Sequence, residues 1–313
     1  SYVNGDTAAM AFTGSPSLTT TATTTSLPGS YPITAALGSL ASTKYSFNFV
    51  NGTLTVTFTG SVPASGTACN GAYSGTFSGN LTVTGTQACV VVGGGASGNL
   101  TQSGGDLVLS AATVGGNVTI TGSSTFSIGP SSTIKGNLQI QSLPSGSATN
   151  QVCATTINGN LQFQSNKAPV LIGSGSQTCA GNTIKGSLQV ISNAAAITLD
   201  GNMVSGAMQV QSNSAAVTMD TNKVSGAMQV QSNSAAVTMD TNKISGALQV
   251  QSNSGATTID GNTVGGALQD QSNTGATQVI SNIITGALQC SSNTTITGSG
   301  NTAASKTGQC AKF

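Results

Sequence analysis

Five consecutive 20-residue units of nearly identical sequence constrain this chain more than any other feature. They begin at Gly186, Gly206, Gly226, Gly246 and Gly266. Looser units begin upstream at positions 79, 98, 116, 136 and 159, and a last unit begins at position 286. Within each unit apolar and polar residues alternate between breaks of Gly, Ser and Asn. Alternation with a period of two is typical of β-strands, so the repeat predicts short strands and not helices.

The repeat predicts an all-β fold in which each unit forms one coil of a β-solenoid. About eleven coils, stacked at the ~4.8 Å spacing of neighbouring strands, would form a rod about 50 Å long. Three apolar columns would point inward, because a single coil cannot cover its own apolar side chains. Their members are Leu188, Met208, Met228, Leu248, Leu268 and Leu288; Val190, Val210, Val230 and Val250; and Val204, Val224, Ile244, Val264 and Ile284.

Two columns of Asn mark the predicted corners of the coils. One runs from Asn193 to Asn293 and the other from Asn202 to Asn282, in steps of twenty residues. Stacked amides hydrogen-bond to one another along the stacking axis, and Asn tolerates the left-handed backbone conformation of tight turns. We therefore expect Asn ladders at the corners, with Asn itself in the left-handed conformation.

The composition excludes several classes of function. Charged residues make up 5% of the 313 residues, the net charge is +1, and the sequence contains no His, Glu or Arg. Imidazole metal ligands and His-dependent catalytic triads are therefore excluded. A chain this close to neutrality has no field that attracts nucleic acid, so we expect no nucleic-acid partner. No apolar run reaches 18 residues, and we expect no insertion into a membrane.

Catalysis is the first alternative to a structural role, since right-handed β-helices include polysaccharide lyases and hydrolases. Glycoside hydrolysis needs two carboxylates that flank the scissile bond. Four of the six solenoid carboxylates instead form one column at equal steps, namely Asp200, Asp220, Asp240 and Asp260. A column of identical acids is typical of duplication and not of one selected site. We therefore expect no enzymatic activity and no cofactor.

The same Asp column is a weak candidate for calcium, which prefers several carboxylate oxygens. The alternative is a solvated corner in which Asp caps the turn that follows it. Neighbouring carboxylates repel, and Lys223 and Lys243 follow Asp220 and Asp240 by three residues. We expect these two Lys residues to relieve the repulsion.

Two Gln columns form a flat, uncharged surface that we call the Gln face. The first contains Gln189, Gln209, Gln229, Gln249, Gln269 and Gln289, and the second contains Gln211, Gln231, Gln251 and Gln271. One interpretation is a ladder that stabilises coil stacking. The other is a contact face for a neighbouring rod or a polysaccharide. Ice binding is a smaller alternative, because Thr198, Thr218, Thr238 and Thr258 align but no regular Thr-x-Thr array accompanies them.

Six cysteines occupy matching places in neighbouring units and predict three disulfides. The expected pairs are Cys69–Cys89, Cys153–Cys179 and Cys290–Cys310. The first two pairs would lie at nearly the same corner of adjacent coils, close enough to bridge. Cys290 takes an inward Val position in the last full coil, and we expect the tail that carries Cys310 to fold back over it. CxxC spacing, which would favour a metal site, is absent. The cysteines therefore favour a secreted, extracellular protein.

The first 58 residues lack the 20-residue step and contain VNGDT at 3–7, LPGSYPIT at 27–34 and YSFNFVNGTLTVT at 45–57. This order of turns and strands resembles the later part of an MBG domain, an Ig-like β-sandwich module of bacterial secreted and surface proteins. The resemblance implies leading strands before Ser1. Either the chain is a fragment, or it was processed, or another molecule supplies the missing strands. The repeats likewise resemble those of bacterial surface and fibre proteins.

Asp270 departs from its column, because it occupies an inward position where the preceding units carry Val. A buried carboxylate is costly, and burial raises its pKa. We expect the coil to be locally loosened there, near the end of the rod and beside Cys290.

The predicted organisation is a partial Ig-like sandwich at 1–58, a linker and cap at 59–78, a β-solenoid at 79–297 and a disulfide cap at 298–313. Together these features predict a non-catalytic extracellular structural protein, a subunit of a surface fibre or filament that self-associates head to tail through its Ig-like module. The alternative is a monomeric adhesin or stalk with a polysaccharide-binding Gln/Thr face. A polysaccharide lyase or hydrolase is the remote alternative.

Overall fold

The computed structural model describes residues 3, 5–60, 69–122, 125–146, 150–174 and 179–313. The chain divides into two compact units, Ser1–Thr59 and Gly60–Phe313. Strands are the main regular secondary structure in the described residues of both units, because their sequences alternate apolar and polar residues between turn-forming residues.

The N-terminal unit is a three-stranded antiparallel sheet preceded by one short helix, Ala8–Ala11. The central strand, Gly29–Ala36, pairs with Ser17–Thr20 on one side and with Gly52–Val56 on the other. Ala11 is the only buried apolar residue among the described residues of this unit. Its sheet therefore has a thin core and, within the described ranges, no strand paired to either outer edge.

The second unit is a β-solenoid of about 11 turns spaced about 20 residues apart, as the repeat predicts. Each turn contributes a strand to three faces, and every strand pairs in parallel with its equivalents in the neighbouring turns. In chain order within a turn, we call them the Asp face, the short face and the Gln face. The last of these is the face that carries the two Gln columns defined above.

The Asp face is a 12-stranded sheet. Its strands are Gly71–Tyr73, Ala88–Val92, Asp106–Ser110, Thr125–Ile128, Asn150–Val152, Val170–Ser174, Ile197–Asp200, Val217–Asp220, Val237–Asp240, Thr257–Asp260, Ala276–Ile280 and Thr295–Ser299. The short face has two-residue strands, Thr76–Phe77, Gly95–Ala96, Thr113–Val114, Thr133–Ile134, Thr156–Ile157, Thr183–Ile184, Met203–Val204, Lys223–Val224, Lys243–Ile244 and Thr263–Val264. The Gln face has Leu81–Val83, Leu100–Gln102, Val118–Thr121, Leu138–Gln141, Leu161–Gln164, Leu188–Ile191, Met208–Gln211, Met228–Gln231, Leu248–Gln251 and Leu268–Gln271. Ile283–Ser291 spans the short and Gln faces, and Thr302–Gly308 pairs with it.

The core lies inside the coils and consists of the predicted apolar columns. Met208, Val210 and Val224 are fully buried, as are their equivalents one coil before and after. The Asp face adds columns such as Val217 and Met219. Each coil covers the apolar side chains of its neighbours, so this core exists only because the coils stack.

The turn between the short and Gln faces brings successive coils into close contact. A Cβ atom on Gly226 would lie 2.7 Å from the backbone oxygen of Gly206, and Gly246 is placed in the same way against Gly226. No larger residue fits at this position, which explains why every complete unit begins with glycine.

The left-handed conformation falls one residue before the Asn columns, so the prediction that Asn adopts it is wrong. Ser212 has a φ of 57° and Thr221 a φ of 52°, and each precedes a ladder Asn. The left-handed residue bends the chain from one face to the next, and the Asn side chain that follows it is buried.

The solenoid extends beyond the boundaries expected from the repeat. Gly71–Tyr73 and Thr76–Phe77 already form a coil within the segment assigned to the linker and cap. At the other end, Thr302–Gly308 is a further strand and not only a cap. Residues 61–68 of the expected linker lie outside the described residues.

Candidate contact faces and the buried polar ladders

The two Asn columns form buried ladders that run from coil to coil. The Oδ1 atom of Asn213 accepts hydrogen bonds from the backbone N–H and from the Nδ2 of Asn193, both at 2.9 Å. The Nδ2 of Asn213 donates to the backbone oxygen of Val190 at 3.1 Å and to Oδ1 of Asn233 at 3.0 Å. Each amide uses both hydrogens and its oxygen, which offsets the desolvation cost of burying it.

The first ladder ends at Asn293, which has no further Asn to accept its hydrogen bonds. Its backbone N–H donates to Oε1 of Gln309 at 2.9 Å. Its Nδ2 donates to the backbone oxygen of Asp270 at 2.9 Å and to Oδ2 of the same residue at 3.0 Å. Gln309 and Asp270 together replace the acceptor that another Asn supplies elsewhere in the ladder.

Asp270 is therefore a ladder terminator, and the expected loosening of its coil is wrong. Its side chain is fully buried in the column between Val250 and Cys290. Its Oδ1 accepts a hydrogen bond from Nδ2 of Asn273 at 2.7 Å. Burial raises the pKa of Asp270 to about 7. The sequence contains a clue to this role. From Asn213 onward, each Nδ2 of the first ladder donates to the residue 23 positions earlier, and Asp270 lies 23 residues before Asn293, the last Asn of that ladder.

The two columns of the Gln face differ in their hydrogen bonding. In the first column Nε2 of Gln189 donates to Oε1 of Gln209 at 2.9 Å, and the pattern continues through Gln289. In the second column the side-chain amides, Gln211 among them, have no hydrogen-bond partner within the described residues. The first column thus supports stacking, and the second column offers free donors and acceptors.

The Asp column is organised by Thr hydroxyls. Oγ1 of Thr241 donates to Oδ1 of Asp220 at 2.6 Å, and Thr221 does the same for Asp200. Desolvation raises the pKa of Asp240, and the charges of Asp220 and Asp260 raise it further, while the backbone N–H of Thr241 lowers it. The hydrogen bonds join successive coils, whereas the sequence indicated a cap within one turn.

The expected relief of this column by Lys223 and Lys243 is absent. Both residues lie on the short face, where their strands pair in parallel and place Lys223 opposite Lys243. Among the described residues, the single ion pair within 4 Å joins Lys44 to Asp6 in the N-terminal unit, at 3.4 Å. The two-residue strand carries the Lys side chains onto the next face, away from the carboxylates.

Calcium binding at the Asp column stays a prediction. Within the described residues, no group of three or more His, Cys, Asp or Glu side chains lies close enough to hold a metal ion. The same part of the chain has no helix with the length and apolar character needed to cross a membrane.

All three predicted disulfides are present. Cys69 bonds to Cys89 and Cys153 to Cys179, with Cα atoms 5.1 and 4.7 Å apart. Cys290 bonds to Cys310 across 5.3 Å and fastens the last strand to the coil below it. The Phe313 ring lies against Gly298 beside this disulfide and covers the adjoining part of the core.

Residues 1–55 match the family described as MBG domain (YGX type), which confirms the resemblance drawn from the sequence. No curated protein and no solved structure matches the chain. The MBG domain, the β-solenoid and the three disulfides together fit an extracellular surface protein.

Proposed function

We propose that this chain is a non-catalytic structural subunit of an extracellular surface fibre, joined to its neighbours through the N-terminal unit. The observation that supports this proposal most directly is the open edge of the strand Gly52–Val56. Among the described residues that strand pairs only with Gly29–Ala36, so its other side presents backbone groups that no strand in this part of the chain pairs. Natural proteins normally protect such an edge with charged residues.

The edge strand has no such protection. Residues 45–59 contain no charged side chain, and they alternate apolar and polar residues. Leu54 and Phe58 are 38% and 43% exposed, although both are large and apolar. A sheet edge of this kind readily accepts another strand.

The opposite edge of the same sheet, Ser17–Thr20, is likewise unpaired by any strand that the structure describes. Pairing of Gly52–Val56 in one copy with Ser17–Thr20 in the next copy is a heterologous contact, and repetition of such a contact produces a filament. Pairing of Gly52–Val56 with itself would stop at a dimer. The proposal is the heterologous contact.

Negative-stain electron microscopy of the purified, non-reduced chain tests this proposal. The wild-type chain should form filaments, and Thr55→Lys should abolish them, because a charge on the open edge opposes strand addition. Thr19→Lys should abolish them as well, since it alters the other partner edge. Thr218→Lys is the matched control, because Thr218 is also an exposed strand Thr but has paired strands on both sides. Dimers without filaments, or filaments that survive both edge variants, would overturn the proposal.

A monomeric adhesin is the second candidate, and the free amides of the second Gln column favour it. Amides that have no internal partner can bind the hydroxyl groups of a polysaccharide. A glycan array tests this candidate. Binding that is lost in Gln231→Ala and kept in Gln229→Ala, which alters the internally bonded column, would support the adhesin.

A further inference from the structure

The early coils carry a third Asn ladder that differs from the two buried ladders. Asn80, Asn99, Asn117, Asn137 and Asn160 lie at the turn before each Gln-face strand and are exposed to solvent. The Oδ1 atom of Asn80 accepts the backbone N–H of Asn99 at 2.8 Å, and Asn99 and Asn117 accept the next backbone N–H in the same way. In this ladder the oxygen links successive coils, and within the described residues Asn137 alone among these five also donates from its Nδ2, to Oδ1 of Asn117 at 3.3 Å.

The nitrogen atoms of the first three amides are unused. Across the part of the chain that the structure describes, Nδ2 of Asn80, Asn99 and Asn117 donates no hydrogen bond. In the buried ladders, by contrast, Nδ2 of Asn213 donates twice. The exposed ladder therefore leaves the nitrogen of each of these three amides in solvent without cost to the fold.

These same three Asn residues begin Asn-x-Thr triplets, Asn80-Leu-Thr82, Asn99-Leu-Thr101 and Asn117-Val-Thr119. Asn-x-Thr is the acceptor pattern for N-linked glycosylation. The three Thr residues stack in register on the exposed side of the Gln face. Alternation along a strand places Asn and the Thr two positions later on the same outward side.

We propose that Asn80, Asn99 and Asn117 form a column of N-glycosylation sites on the early coils. In the reaction, Nδ2 bonds to the anomeric carbon of a sugar linked through a diphosphate to a lipid or a nucleotide. The anomeric C–O bond breaks, the diphosphate leaves with the bonding electrons, and a base takes the amide proton. The Oδ1 atom keeps its hydrogen bond to the next coil.

The spacing of the column limits what it can carry. Adjacent coils are about 4.8 Å apart, less than the width of a hydrated branched glycan. Single sugars fit on all three residues, whereas a branched glycan on Asn99 excludes one on Asn80 or Asn117. The site thus favours either short sugars or alternate occupancy.

The chain contains internal controls for this assignment. Asn293 also begins an Asn-x-Thr triplet, but it is buried and its Nδ2 donates two hydrogen bonds to Asp270. Asn137 and Asn160 stand in the exposed column but are followed by Gln139 and Gln162 instead of Thr. We expect none of these three to carry sugar.

Peptide mapping by mass spectrometry of the full chain, purified from the cells that export it, tests the proposal. Sugar should be found on Asn80, Asn99 or Asn117 and not on Asn293. Thr101→Ala should remove only the modification of Asn99, and Thr121→Ala, an adjacent Thr outside any triplet, should change nothing. Gln139→Thr should add sugar to Asn137.

Two results would overturn the proposal. The first is an unmodified mass for every peptide that contains Asn80, Asn99 or Asn117. The second is sugar that persists on Asn99 in Thr101→Ala, because the modification would then not depend on the triplet. The proposal rests only on the extracellular location, so it can fail while filament assembly holds, and the reverse is also true.

Discussion

The early and late coils share three faces but place different residues at equivalent corners. The column of corner residues that contains Asn193 begins in an earlier coil with Leu143. The backbone N–H of Leu143 donates to Oδ1 of Asn166, the next residue of the column. The corner that holds Asn202 begins with Ala112, Ser132 and Thr155, all buried. Apolar or hydroxyl residues thus occupy the early corners, and Asn occupies every later one.

This difference shows that the buried Asn residues at these corners satisfy one another along a run. Each Nδ2 needs an oxygen in the next coil, and each Oδ1 needs donors in the previous one. A single Asn at an early corner would leave buried polar atoms without partners, which costs about 1–3 kcal/mol for each atom. The first run begins after Leu143, which supplies only a backbone donor, and ends at Asp270. The second run ends at Asn301, whose Nδ2 donates to the backbone oxygens of Val279 and Ser299.

The largest effect that tests this comparison is expected from Asn233→Leu, in the middle of the first buried ladder. The substitution removes the acceptor of the backbone N–H of Asn213 and of one of its two Nδ2 hydrogens, while the other hydrogen keeps its bond to Val190. Two unsatisfied buried donors predict a loss of about 2–6 kcal/mol in the free energy of unfolding. Denaturant titration followed by circular dichroism measures it.

The matched control is Asn99→Leu, in the exposed ladder. Water replaces the lost acceptor there, so we expect a loss below about 1 kcal/mol. Equal losses in the two variants would refute the distinction between the ladders.

The second prediction concerns the irregular coil closed by Cys153–Cys179, whose partners are 26 residues apart. Replacement of both cysteines by Ser should destabilise the chain by about 2–4 kcal/mol. Amide hydrogen exchange should become faster than in the wild-type chain only in the early coils, because the two long Asn ladders run through the later coils. Exchange that spreads equally through the late coils would show that the ladders do not hold them independently.

The third prediction is a pH dependence that originates at Asp270. Its pKa of about 7 in the folded protein lies above the ordinary value of 3.8. The folded state therefore binds the proton more tightly, so the stabilisation is complete below pH ~4 and is lost as the pH rises through 7. Asp270→Val should flatten the plot of unfolding free energy against pH over this interval.

Asp270→Asn is the companion variant, because it cannot titrate but keeps an oxygen that can accept from Asn293. It should flatten the same plot while preserving more stability than Asp270→Val at pH 5. A slope that persists in both variants would assign the pH dependence to another group.

The smallest effect is expected at the half-buried Asp column. Asp240→Asn removes the charge whose pKa is raised by desolvation and by Asp220 and Asp260. Because a raised folded pKa means that ionisation is unfavourable in the fold, the variant should gain stability at pH 7 and not at pH 3. The gain should stay below about 1 kcal/mol and shrink in high salt. A loss at pH 7 would indicate that the carboxylate binds a cation, as the calcium alternative requires.

The sequence was sufficient to predict the coil, its inward columns, both Asn ladders and all three disulfides. A strict 20-residue period fixes which residues are neighbours across coils, so each stacked pair can be read from the chain. The sequence was insufficient where the position of a side chain depends on how the backbone turns between two faces. Lys223 appears close to Asp220 in sequence, but the turn between them moves it to another face. The left-handed residue is Ser212 and not Asn213, because the ladder requires the Asn side chain to point inward.

Asp270 could not be interpreted from its column alone, since its role depends on which Asn is the last one. That role has a consequence for how such a protein changes over generations. An in-frame duplication of the coil that begins at Gly226 would give every new amide a donor below and an acceptor above, and would leave Asp270, Gln309 and the Cys290–Cys310 bond in place. The near identity of the units beginning at Gly206 and Gly226 is what such a duplication leaves behind. Duplication or deletion of whole units can thus change the number of coils in the solenoid and leave both of its ends intact.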